Sequence, residues 1–235
     1  MLQSLKRLNR FFLNEALYPL VFASVVAMGV FIFRVYFSRS LNYSNLVWNL
    51  VLAWIPYLIS LCAIGVQRLF AKRRWWGIPP LLLFTAAWLL FFPNAPYILT
   101  DFYHLKLRAP LPLWFDIGMI SLFAFSGCFL AIASLRSMQS IFRAYTGQFV
   151  SWVAITAAIA ISAVGVYLGR FGRWNSWDLF TSPRTILKEI ILPTFSPEKN
   201  LDFVGFTLMF TALLLVLYVM FVSFNHGVEE EEPNR

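Results

Sequence analysis

The sequence predicts an all-α fold, a polytopic transmembrane helix bundle of about six spans with short interfacial helices in the two longer outer loops. Three observations carry this. Of 235 residues, 60% are hydrophobic, 18% aromatic and only 13% charged, with a mean hydropathy of +0.69, a balance that soluble globular domains do not show. The apolar residues fall in runs near the length of about 20 residues that crosses ~30 Å of hydrocarbon. The cations sit at the ends of these runs, as the positive-inside rule and lipid head groups require.

The net charge of +8, from 19 Lys and Arg against 11 Asp and Glu, therefore belongs to the flanks of spans. No basic patch lies on a soluble domain, so nucleic acid is not expected as a partner. Cys62 and Cys128 both fall inside apolar segments and imply no disulfide framework.

The chain reads as a single integral membrane domain over residues 1–235, with spans near 16–36, 46–66, 76–92, 114–135, 149–168 and 203–224 and an acidic tail at 228–235. Leu2, Leu5, Leu8 and Phe12 alternate with Lys6, Arg7 and Arg10, the pattern of an amphipathic surface helix. The first span follows this basic start as a signal peptide would, yet it ends at FRVYF without a small-residue cleavage site, so it is read as a retained anchor. Pro56 lies inside the second span, where neighbours can satisfy the freed carbonyl. The fifth span is rich in Ala, Ser and Gly; small residues favour close packing in lipid, so it is expected at the centre of the bundle. After it, Ser182 and Pro183 suit the N-cap and first position of a short surface helix. The tail Glu229 to Glu232 is expected to be disordered and solvated.

The stretch FFPNAPYILTDFYHL, Phe91 to Leu105, is where a greasy segment gives way to Asn, Asp and His. Phe92 and Ala95 each precede a proline, whose ring disfavours the α region for them, so a helix arriving from Leu81 is expected to end at Pro93. Past the break, at ~100° per residue, Tyr97, Asp101, His104 and Arg108 share one face while Ile98, Phe102 and Leu105 share the other. Asp101 and His104, three residues apart, suit an acid/base pair or, with Asp116, part of a metal site. The structural alternative is that Asp101 caps or anchors an interfacial helix with His104 at the head groups, and that Asn94 caps a half-helix beginning near Pro96.

A second polar stretch, GRFGRWNSWDLF, offers Arg170, Arg173, Trp174, Asn175, Trp177 and Asp178. Arginine forks suit phosphate or carboxylate, and tryptophan suits the membrane interface. These arginines could equally pair with Asp101, Asp116 or Asp178. The basic amino terminus and the run Arg68, Lys72, Arg73, Arg74, with Arg136 and Arg143 in a later loop, orient both chain ends to the cytoplasm and both polar stretches outward.

The runs FFPNAPYILTDFYHL, WFD at Trp114 to Asp116, and GRFGRWNSWDLF resemble the signature blocks of the bacterial integral membrane proteins known as domain of unknown function 1361. The resemblance covers the chain from about the second span to the last and implies a multi-pass protein of the bacterial inner membrane. It assigns no activity and no catalytic residue. The residues themselves leave three expectations. One is a site at the outer face for an anionic lipid head group or small anionic ligand, with Asp101 and His104 as catalytic candidates and Asn94, Asp116, Arg170, Arg173, Trp174, Asn175 and Asp178 as ligand-binding ones. The second is a small-solute transporter built on the broken third helix. The third is a non-catalytic membrane assembly subunit. Cofactor and oligomeric state stay open.

Overall fold

The computed structural model describes residues 16–106, 110–174, 176, 178–195 and 200–230. The amphipathic stretch Leu2 to Phe12, Arg108, Asn175, Trp177 and the end of the acidic tail lie outside the described residues. Among the described residues six segments are long and apolar enough to cross a membrane: Leu17–Ser38, Ser44–Leu69, Trp75–His104, Leu113–Thr146, Gln148–Gly172 and Leu201–Phe224. In hydrocarbon every backbone N–H and C=O must be satisfied within the chain, and a helix does so locally. Helix is therefore the form these apolar runs take.

The chain divides into two compact units, Met1–Tyr145 and Thr146–Arg235. The first contains α1 (Leu17–Ser38), α2 (Ser44–Leu69), α3 (Arg74–Phe91), the one-turn α4 (Asn94–Tyr97), a 3-10 segment (Ile98–His104) and α5 (Leu113–Thr146). Helix α2 packs along α3 and against α4 and the 3-10 segment. Phe31 of α1 meets Phe123 of α5 edge to face at 6.4 Å, and Trp88 stacks on Phe92 at 4.8 Å. A Cβ on Gly127 of α5 would stand 2.5 Å from the carbonyl oxygen of Ala95, so only glycine lets these backbones approach so closely.

Three expectations are corrected here. The regular helix does end at Phe91, as expected, but the chain does not leave the α region at Pro93: Phe92 has φ −56° and ψ −37°, and Pro93 φ −56° and ψ −27°. The pre-proline clash is a bias, and here it is met by tightening. Pro96 cannot donate to the Phe92 carbonyl, which instead accepts from Ala95 N–H at 3.1 Å in a shorter loop. The third span therefore runs on through His104 over 30 residues, and Asn94 is the first residue of α4 rather than its cap. The helical-wheel faces also change. With ~3.0 residues per turn in a 3-10 helix, residues three apart eclipse, which puts Ile98 and Asp101 on one buried side with Phe102 and Tyr103 exposed, while His104, next in that register, is exposed as the last residue of the segment.

The third correction concerns α5. It does not stop near Leu135 but continues 34 residues to Thr146, about 51 Å at 1.5 Å per residue. Arg136 and Arg143 are thus on helix, not loop. Its apolar stretch is also the most enclosed of the six spans, 67% buried against 39% for the small-residue fifth span.

The second unit holds α6 (Gln148–Tyr167), a π turn (Leu168–Gly172), α7 (Asp178–Thr181), α8 (Pro183–Phe195) and α9 (Leu201–Glu230). Helices α6 and α9 pack along each other, joined by Tyr167 against Phe203 at 5.0 Å and Trp152 against Tyr218 at 5.9 Å. The surface helix begins at Pro183 as its sequence predicts. Helix α9 extends to Glu230, so the first part of the acidic tail is helical rather than disordered.

Candidate functional site

Four chain segments end together at one end of the first unit: the last turn of α1, the start of α2, the 3-10 segment and the start of α5. Arg34 in α1 and Asp116 in the first turn of α5 are both fully buried. Arg34 Nε donates to Asp116 Oδ1 at 2.7 Å and Nη2 donates to Oδ2 at 3.2 Å. This bidentate fork is the geometry in which an arginine–carboxylate pair offsets most of its desolvation. Nη1 reaches Ser38 Oγ at 3.4 Å, and that hydroxyl donates to the Ser40 carbonyl at 3.3 Å. The guanidinium also lies over the Tyr43 ring, 4.7 Å from its centroid, a cation–π contact that strengthens when water is excluded.

Tyr43 links this pair to the next loop. Its backbone is left-handed, φ 69°, which is uncommon for a bulky residue and is sustained only where contacts fix it. Among those contacts are the guanidinium on its face and Lys106 at its tip: the Tyr43 hydroxyl donates to the Lys106 carbonyl and accepts from the Lys106 N–H, each at 3.3 Å.

Asp101 forms the second half of the cluster. It is buried and accepts from Asn49 Nδ2 at 2.7 Å and Asn45 Nδ2 at 3.3 Å. The two asparagines are four apart on α2 and so share one helix face. His104, by contrast, is exposed, its ring edge-on to Tyr103 at 6.1 Å. Among the described residues no three His, Cys, Asp or Glu side chains gather as a metal site, and both oxygens of Asp116 face Arg34.

Around the buried groups lies an exposed rim. Arg39 stacks over Tyr36 at 5.1 Å; Lys106 and His104 are exposed, as are Tyr36, Tyr103 and Trp114. Cations beside aromatic rings are the composition of a head-group layer.

The second polar stretch is built on the π turn that extends α6. Such turns insert one extra residue per loop and are frequent at functional sites. The turn carries half-buried Arg170 and ends at exposed Arg173 in the left-handed region, φ 58°. Trp174 N–H closes it onto the Leu168 carbonyl at 3.2 Å. The Trp174 indole donates to Glu189 Oε2 at 2.6 Å, tying α8 to this turn. Asp178 opens α7, half-buried.

Sequence reasoning missed Arg34, Tyr43, Asn45, Asn49 and Glu189. Two signals were available: an arginine inside the apolar run VFIFRVYF, which must find a partner in lipid, and amides four apart at the head of the second span.

These helices and this buried charge network define a multi-pass membrane protein with a polar cluster at one end of its first unit. The chain belongs to the family described as protein of unknown function (DUF1361), whose sequence model matches residues 48–217. That stretch includes Asn49, Asp101, Asp116, Arg170 and Arg173, whereas Arg34, Tyr43 and Asn45 precede it. No curated protein and no solved structure matches the chain.

Proposed function

We propose that the protein binds an anionic head group, of a lipid or a similarly charged small ligand, at the outer membrane face, on the rim above the Arg34–Asp116 and Asp101 cluster. One observation carries the reading: the buried charged side chains among the described residues, Arg34, Asp101 and Asp116, all lie at this single end. Ionisable groups in spans mark functional sites by default, and a transport path would more often hold them at the midplane. In this reading Asp116 and Asp101 are positioning groups. The first fixes Arg34 beneath Tyr43, and the second fixes Asn45 and Asn49, while Arg39 and Lys106 meet the anion. His104 stands on the same rim as a proton-transfer candidate.

The test uses glycerol 1-phosphate as the probe on purified protein in zwitterionic detergent. Thermal unfolding of wild type shifts upward with the probe, and the shift disappears in Arg39→Gln/Lys106→Gln. No shift in wild type, or an equal shift in the double variant, rejects the reading.

A further inference from the structure

The opposite end of the first unit carries a different surface. Helix α2 turns into α3 through residues 70–73, and Arg68 in the last turn of α2 and Lys72 and Arg73 on the connection are all exposed. The turn is seated against the end of α5: a Cβ on Gly77 would lie 2.9 Å from Phe70 Cβ and 3.5 Å from the Tyr145 hydroxyl. About 20 residues of α5 suffice to cross the hydrocarbon, so roughly its last dozen extend beyond it. That extension remains packed on one side, with Leu135, Met138 and Ile141 buried, and shows Arg136 and Arg143 on the other.

The turn and the extension therefore form one platform with five exposed cations. The described acids of this unit, Asp101 and Asp116, both belong to the buried cluster at its other end. Beside the cations stand Leu69, Trp75 and Trp76, exposed by 77%, 83% and 72%. Indoles with arginine and lysine next to them match the layer where acyl chains meet head groups.

We propose that this platform is a docking surface for anionic phospholipids of the leaflet it faces. Arg68, Lys72, Arg73, Arg136 and Arg143 contact the phosphates, and Trp75 and Trp76 insert between the lipids. Each cation near an anionic membrane surface adds to the attraction, and several at one end of the unit act on the same leaflet together. The arrangement favours a lipid over a soluble anion because the cations border exposed apolar anchors rather than enclosing a pocket.

The experiment reconstitutes the full chain in nanodiscs holding equal phosphatidylglycerol and phosphatidylcholine and measures which phospholipid stays bound on release, by native mass spectrometry. Wild type retains phosphatidylglycerol preferentially, and the preference weakens with salt. Lys72→Gln/Arg73→Gln/Arg143→Gln loses it by roughly five-fold per cation removed at low salt, while Lys72→Arg keeps it. All are exposed positions, and an unchanged unfolding temperature confirms that the fold persists. Arg39→Gln/Lys106→Gln, which tests the other face, leaves this preference intact. A triple variant with wild-type preference, or a loss of equal size in the Arg39/Lys106 variant, overturns the proposal without bearing on glycerol 1-phosphate binding.

Discussion

Arg34 Nε lies 2.7 Å from Asp116 Oδ1, two charges 82 positions apart in sequence and both sealed from solvent. The pair fastens the end of α1 to the beginning of α5. Removing one partner strands the other charge in a low-dielectric interior, which costs about 3–5 kcal/mol. Arg34→Met and Asp116→Leu are each expected to lower the unfolding temperature sharply in detergent, and the double substitution to recover much of the loss. Single effects that simply add would show that the pair is not a unit.

The two asparagines on Asp101 are unequal. Asn49 donates at 2.7 Å and is half-buried, whereas Asn45 donates at 3.3 Å from an exposed position. Asn49→Leu leaves a buried carboxylate oxygen short of a donor, at a cost of about 1–3 kcal/mol, and Asn45→Leu costs less. Thermal denaturation of the two variants side by side checks the order, and a larger loss for Asn45→Leu contradicts it.

Helix α5 supplies an internal control for close packing. Gly127→Ala drives a methyl to within 2.5 Å of the Ala95 carbonyl oxygen, while Gly118 has nothing within 4 Å of the same added atom. The first substitution is expected to destabilise by about 1–3 kcal/mol through overpacking. The second is expected to be neutral or slightly stabilising, since alanine is the better helix former. Similar stabilities for the two would mean that α5 and the Asn94–Tyr97 turn separate more readily than their contact implies.

Orientation is open to a direct assay. The positive-inside rule predicts that the end carrying the exposed cations of the α2–α3 turn and of the α5 extension faces the inside. A reporter active only in the periplasm should be silent when fused after Arg235 and active when inserted between α8 and α9. The reverse pattern would invert the protein and put the Arg34–Asp116 cluster at the inner face.

Much of the fold was legible because lipid leaves the backbone few choices: apolar runs of spanning length, flanked by cations, become helices wherever they occur. The six spans follow from that alone, and the surface helix from Pro183 follows from its N-cap serine and first-position proline. The regular helix stops at Phe91, but the Pro93–Pro96 stretch stays in the α region, because the rule for residues before proline is a preference and not a prohibition. Packing against α2 and the glycine-permitted contact of Ala95 with α5 hold the chain helical there. The end of α5 was misread for a related reason: a polar, arginine-bearing stretch looks like loop until Leu135, Met138 and Ile141 are seen to be buried on one side.

The sequence by itself determined the class of this protein, the number of its spans, and that Asp101, Asp116, Arg170 and Arg173 lie in its polar stretches, because hydropathy and charge placement are properties of short windows. Only the tertiary structure decided which polar groups meet. Asp116 takes Arg34 from another span, Asp101 takes Asn45 and Asn49, and His104 lies exposed. Those pairings join residues from helices far apart in the chain, and a one-dimensional pattern carries no distance between them.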